Sequence, residues 1–389
     1  MRIVNIFHKP LRLQTNIANA LVNFSEHTVS LVAMVSDQVR NGRPVVGYAF
    51  DSIGRYDQQG ILGGRMIPRL LKTEPETLQD DDGRLSPAKV LRCAMQNEKP
   101  GGHGDRAHAA AALELAAWDL VAKLDDVPAA VAIARHCGRE ADARIGVYAA
   151  GGYYYPGEDV VGLRREIERH IAHGFDRFKI KIGGAPLGQD LERVQAAVDA
   201  ARKIGQGARV AVDANGRFDI EQAVSYGNAM REFPLMWYEE PCDPLDYASN
   251  AELASHYKGA LATGENLFSS QDVKNLVLFG GMRRDLDIFQ MDSGLSYGVT
   301  GYLHMLHEME ERGFSRRFAF PHGGQLLALH VVAGLGLGGC EVYPDIFQPL
   351  GGFGDDTRVD AGAVALPSLP GFGFEGKAEL WQELASLQS

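Results

Sequence analysis

Two lysines stand two residues apart in the stretch Arg177 to Gly184, RFKIKIGG, on an otherwise apolar run. Residues i and i+2 of a strand point to one side, so Lys179 and Lys181 share a face while Phe178, Ile180 and Ile182 share the other. Two ammonium groups held together repel, and the flanking pattern reads as a buried strand rather than a charged surface. Further along, Asp213, Glu239 and Glu265 each close an apolar run, in VAVDAN, MWYEEP and ALATGEN, at equal intervals of 26 residues (213 to 239, 239 to 265). Asp292 ends DIFQMD, His322 lies in FAFPHGG and Glu341 in CEVYP.

Taken singly, each acid has an ordinary reading: Asp213 and Glu265 as helix caps, Glu239 with Glu240 as a solvated pair. Brought together they repel unless a cation sits between them, and hard oxygen ligands without a thiolate or histidine cluster favour Mg2+ over zinc or copper. The same cation gives the lysines a purpose. A lysine is a poor base at neutral pH unless its charged form is disfavoured, and a second ammonium and a divalent ion both do that. Asp292 beside His322 fixes the ring's tautomer and favours its protonated form, which prepares a general acid. His304 and His307, on a helical stretch, lack such a setting. A metal facing a lysine base and a histidine acid suits removal of a proton next to a carboxylate, with the metal holding the charge of the enediolate.

These residues need a scaffold that brings strand ends to one place. From about Ile145 the chain reads strand, loop, helix in repetition, with eight apolar runs: IGVYAA, RFKIKI, RVAVDA, MWYEEP, ALATGE, DIFQMD, RFAFPH and CEVYP. Eight such runs alternating with helices predict an α/β fold, a parallel (β/α) barrel of the TIM type, whose strand ends gather on one catalytic rim. The preceding third reads as an α+β unit. TVSLVAMVS and PVVGYAF form a hairpin through Asn41-Gly42, and Asp105 caps a helix from Asp105 to Leu124.

Composition narrows the partners. With 389 residues, 45% hydrophobic, a large core is available. A net charge of -11 with basic residues scattered in ones and twos excludes a nucleic-acid stripe and a polybasic membrane segment. The start of the chain lacks the apolar core of a signal peptide, and no run approaches the roughly 18 apolar residues of a membrane span, so a cytoplasmic location is expected. Cys93, Cys137, Cys242 and Cys340 form no Cys-x-x-Cys pair, which argues against zinc and disulfides. Cys242 and Cys340, each near a rim acid, read as buried and inert.

The helix AAALELAAWDLVAK and the motifs KIK, DAN, EEP, GEN, DIFQMD and PHGG, in this order and spacing, resemble the enolase superfamily, mandelate racemase subgroup, over nearly the whole chain. The resemblance implies a capping domain at residues 1–128, a modified barrel at 129–365, and a return of 366–389 to the cap. It implies Mg2+ on Asp213, Glu239 and Glu265, without firmly assigning Glu240 as a ligand, a basic motif of Lys179 and Lys181, and a dyad of Asp292 and His322. One departure is Asp126 in AKLDDVP, where the family often has glycine, and a local loop change is expected there.

Known substrates of the subgroup are hydroxy-acids and acid sugars, and dehydration of D-tartrate to oxaloacetate is the expected activity. Lys181 would then take the α-proton and His322 protonate the departing hydroxyl. A small dicarboxylate also needs a second anchor, for which Lys179, Thr15 and Asn16 are the candidates. Glu341 is expected against the carboxylate being enolised, and Tyr153 to Tyr155 near the pocket. A racemase or epimerase using the same Lys/His pair, or a non-catalytic binding protein, remains open. A homo-oligomer is expected.

Overall fold

Three antiparallel strands, β1 (Ile3–Arg12), β2 (Thr28–Arg40) and β3 (Arg43–Phe50), open the computed structural model, which describes every residue except 156, 158, 159, 206, 208 and 389. The turn between β2 and β3 is Asn41-Gly42, both left-handed (φ 52° and 74°), the conformation a two-residue hairpin needs to match strand twist. β1 is not legible in the sequence, because its buried positions follow no period of two. The helix Asp105–Leu124 lies against β2 and β3 through its alanines. Gly47 makes that approach possible, since a Cβ there would stand 2.1 Å from the Ala116 carbonyl oxygen. Asp105 is the first helical residue, not the cap. Gly104, at φ 100°, takes the cap position, a conformation that aspartate avoids.

The barrel strands are β4 (Arg144–Ala150), β5 (Phe178–Lys181), β6 (Val210–Asp213), β7 (Leu235–Glu239), β8 (Leu261–Thr263), β9 (Ile288–Phe289) and β10 (Cys340–Val342), all parallel, in the order β10-β4-β5-β6-β7-β8-β9. β11 (Ala363–Ala365) pairs antiparallel with β4. The expected strand RFAFPH is not regular. Arg316–Phe318 form a 3-10 turn, Pro321 has no N–H to give, and Gly323 and Gly324 turn the chain at φ 130° and 54°. A bridge from Ala319 to Phe289 and N–H bonds from Phe320 to Phe289 O (2.8 Å) and from Gly338 to Ala319 O (2.9 Å) nevertheless fill the gap between β9 and β10. No helix among the described residues is long and apolar enough to cross a membrane.

Three contacts seat the first sheet and its helix on the barrel. Glu114 is fully buried and accepts hydrogen bonds from Trp118 Nε1, from the N–H groups of Val299 and Thr300 and from the Thr300 hydroxyl, at the start of the helix Gly298–Glu310. A carboxylate at a helix N-terminus satisfies orphan donors and meets the positive end of the dipole. The last helix, Ala378–Ala385, returns to the first sheet through a Lys9–Glu383 ion pair (2.7 Å) and an edge-on contact of Trp381 with Tyr48. Asp126, at φ 57°, sits in the conformation glycine would favour and pairs with Arg40. Because Glu114→Ala strands several buried donors, it is expected to destabilise the protein by about 2–4 kcal/mol in urea unfolding.

Candidate active site

Strand register builds the rim. Lys181 is paired with Asp213 across β5 and β6, and Asp213 with Glu239 across β6 and β7, so three ionisable groups stand side by side. Glu265 arrives one strand later, two residues beyond β8. Gly264 (φ 135°) turns the chain there, at a point where a Cβ would press on the Gln290 amide at 2.9 Å. One ligand oxygen from each of Asp213, Glu239 and Glu265 lies within 4.8 Å of the others.

Beneath them, Lys179 is an internal counter-ion. Its ammonium lies 2.6 Å from Glu239, 2.7 Å from Glu341 and 3.6 Å from Asp213. Lys181 pairs with Asp213 and faces the cavity above. Burial pushes both lysines down, but the carboxylates outweigh it: Glu239 and Glu341 hold Lys179 well above the usual range, and Asp213 raises Lys181. The expected depression by a neighbouring ammonium is present at Lys181 but is the weaker effect while Asp213 is free to pair with it.

The acids carry the strain of this gathering. Burial and the nearby Asp213 raise Glu239 to about 8, and burial and Glu265 push Glu240 well above the carboxylate range. Burial works against Asp213 too, yet Lys181 and Lys179 bring it down to about 2. Glu240 has left-handed backbone (φ 35°), which turns its side chain to the cavity, where the Asn266 amide donates to both oxygens at 3.0 and 2.8 Å. Among the described residues, Asp213, Glu239, Glu240, Glu265, Asp292 and Glu341 gather with four cations, Lys179, Lys181, Arg55 and His322, and the protons held on Glu239 and Glu240 make up the difference. The all-oxygen donor set and the buried Asn215 Oδ1 without a partner beside Asp213 fit a hard divalent cation, which would displace the Glu239 proton.

Across the rim, Asp292 Oδ2 accepts from His322 Nδ1 at 2.9 Å, and the expected dyad is in contact. Burial opposes charge on the ring, but Glu265, with Nε2 at 3.7 Å, and Asp292 raise it to about 9. The imidazole is therefore protonated at neutral pH.

A cavity of about 150 Å³ joins these groups. Lys181, Glu240, Glu265 and His322 form its floor, with Tyr153 and Tyr343 at the side and Asn19, Leu21, Val22, Phe24, Ile53 and Arg55 from the first domain as its roof. Thr15 and Asn16 are placed elsewhere. Gln14 is tied to Gln348 and Ala18 to Tyr154, so the stretch between faces a separate outer cavity with Tyr155, Arg169 and Asp345. The loop tip over the site is Asn19, whose side chain accepts from the amides of Leu21 and Val22. Of the three tyrosines, Tyr153 reaches the cavity, while Tyr154 bonds to Asp190 and packs on Gly184. Lys179 and Glu341 lie below the cavity: Glu341 is spent on Lys179 and the Gly323 amide. Arg55, unrecognised in the sequence because nothing in SIGRYD marks it, is the cation of the roof, held by the Gly54 carbonyl, by Asn266 and over the Phe268 ring.

Residues 162–380 match the family described as enolase C-terminal domain-like, and the chain belongs to that family of the enolase superfamily. L-talarate/galactarate dehydratase of Salmonella typhimurium is 26% identical over 379 residues, 96% of this chain and 89% of its own. L-Talarate dehydratase of Polaromonas sp. JS666, complexed with Mg and L-glucarate, superposes with a TM-score of 0.74 at 22% identity over 96% of this chain and 94% of its own. A racemase from Streptomyces coelicolor with bound magnesium gives 0.77 at 22% identity over 99% of each. The shared architecture is a capped barrel, as the resemblance implied.

Because Glu239 holds a proton below about 8 without a metal, divalent-cation binding is expected to release protons at pH 7 and to release progressively fewer by pH 9. Calorimetry in buffers of differing ionisation enthalpy measures this, and a release that does not decline with pH would contradict the assignment.

Proposed function

We propose that this protein is a Mg2+-dependent acid-sugar dehydratase, and that its substrate is D-tartrate, converted to oxaloacetate and water. The observation that carries the reading is the cavity itself. A base, an acid and Glu265 of the metal-fitting trio line a space far below the ~300–1,000 Å³ of pockets for drug-sized ligands, suited to a four-carbon diacid. The dehydratases among the relatives support the reaction class, and their named substrates are larger sugar acids.

Asp213, Glu239 and Glu265 would hold the magnesium, whose positive charge would favour a substrate carboxylate taking up the electron pair that the α-proton leaves behind. With Asp213 engaged as a ligand, Lys181 would lose its carboxylate partner, and its amine would take the α-proton. In strand order, β5 and the segment carrying His322 lie on opposite sides of the barrel, so base and acid approach the substrate from different faces. The C–O bond at the next carbon breaks, its electron pair leaves with oxygen, and His322 Nε2 gives the proton that makes water. The enol product becomes the keto acid, with no change in overall oxidation state. Asp292 holds Nδ1 throughout. Lys179 sits beneath as counter-ion, and Arg55 meets the second carboxylate in place of Lys179, Thr15 and Asn16.

The experiment is keto-acid formation with Mg2+ across D-, L- and meso-tartrate and six-carbon sugar diacids. Oxaloacetate from D-tartrate is the expected result; a six-carbon substrate would keep the chemistry and sink the tartrate reading. Base and acid on opposite faces also suit a racemase, and α-proton exchange without keto acid would favour that instead. Lys181→Ala and His322→Ala are each expected to cost ~10²–10⁴-fold in turnover with the fold retained. Arg55→Met is expected to raise KM roughly 10–100-fold through loss of a charge-assisted contact, with a smaller effect on kcat.

A further inference from the structure

The nitrogen that gives up the proton in this scheme already has a partner. His322 is gripped at both ends: Nδ1 by Asp292 at 2.9 Å and Nε2 by the Tyr343 hydroxyl at 3.0 Å. Tyr343 follows β10 directly and shares its inward face with Glu341, two residues earlier. It is not a loose side chain. Its N–H donates to the Gly324 carbonyl at 3.0 Å, its ring lies edge-on to Phe347 at 4.9 Å, and it is buried. The glycine that follows the PHG turn serves this packing, since a Cβ on Gly324 would stand 2.4 Å from the Tyr343 ring. The segment that carries His322 is thus moulded to the residue that holds its Nε2.

Tyr343 also lines the cavity beside His322. A proton donor carries its proton on Nε2, and there Nε2–H donates to the phenol oxygen, while the phenol's own proton has no acceptor among the described residues. A substrate hydroxyl entering the cavity meets imidazole and phenol side by side.

We propose that Tyr343 is the positioning residue of the proton donor: its hydroxyl keeps the His322 Nε2–H aimed along the cavity wall until the departing hydroxyl of the substrate takes its place. The inference rests on the dehydratase reading. Lys181 acts on the other side of the cavity, so loss of the phenol leaves proton abstraction intact and slows the breaking of the C–O bond. Preorganisation of this kind is general, since a catalytic group must be held near its productive geometry by a partner that is itself locked.

The test is Tyr343→Phe, which keeps the ring in place and loses one hydrogen bond, so the fold is expected to persist. In the substrate-free protein, 15N NMR is expected to show the His322 Nε2–H exchanging faster with solvent in the variant than in the wild type. With D-tartrate and Mg2+ in D2O, kcat for oxaloacetate is expected to fall roughly 10–100-fold, within the span that general acid catalysis supplies. KM is expected to stay within about threefold, and the unreacted tartrate to gain deuterium at the α-carbon. Matching NMR spectra overturn the inference whatever the turnover, as does an unchanged kcat in the variant of an active wild type. Loss of exchange and elimination together overturns it too, since the phenol would then serve the whole site. A wild type that makes no keto acid overturns the dehydratase reading, and this inference with it.

Discussion

Asp213, Glu239 and Glu265, two of them buried and the third at the cavity, place ligand oxygens within 4.8 Å of one another, and Glu240, Asp292 and Glu341 are buried nearby. Concentrated like charge in a low dielectric is costly, and the protein has more than one way of meeting it. Lys179 and Lys181 neutralise part of it directly, and protons on Glu239 and Glu240 neutralise a further part, which a divalent ion on the trio would take over from the Glu239 proton. Each solution constrains the next. The lysines must lie on the strand beside Asp213, and Glu265 must be turned inward by a glycine at a position where no side chain fits.

The barrel does not enclose this rim alone; the N-terminal part of the chain covers it. The roof of the cavity comes from two of its loops, around Asn19 and around Arg55, neither of which belongs to the barrel. Their position depends on how firmly the first sheet is seated. Glu114 gives that seating a polar key, since it joins the helix Asp105–Leu124 to the first turn of the helix Gly298–Glu310. A second tie runs through Gln325, whose side chain donates to the Ser52 hydroxyl three residues before Arg55. The loop bearing His322 and the loop bearing Arg55 are therefore positioned against each other.

Strand-end acids at equal spacing were legible because a parallel barrel converts sequence period into adjacency, and register then makes neighbours of Lys181, Asp213 and Glu239. The hairpin was legible because Asn41-Gly42 states its own backbone conformation. What did not show was whatever depended on loops. RFAFPH has the composition of a strand, but Pro321 and two glycines with positive φ break its ladder after a single bridge. Thr15 and Asn16 have side chains fit for a ligand, but backbone ties at Gln14 and Ala18, invisible in the sequence, turn them outward. Arg55 and Tyr343 escaped notice for the same reason: each gains its meaning from a partner far along the chain, Asn266 in one case and His322 in the other.

The paired lysines show where pattern stops and depth begins. Alternation puts both side chains on the inner face of β5, and they are there. Two residues along a strand are also about 6.6 Å of height, and that distance separates two environments. Lys179 ends among Glu239, Glu341 and Asp213 with no access to the cavity, whereas Lys181 ends at its floor. A counter-ion so enclosed is bound to stay charged, because losing its proton would leave three buried carboxylates uncompensated. Lys181 has one such partner, Asp213, and that partner is also one of the three acids suited to the metal. The lower lysine offsets part of the charge of three acids and is locked among them, whereas the upper one is held by a single carboxylate at the edge of the cavity.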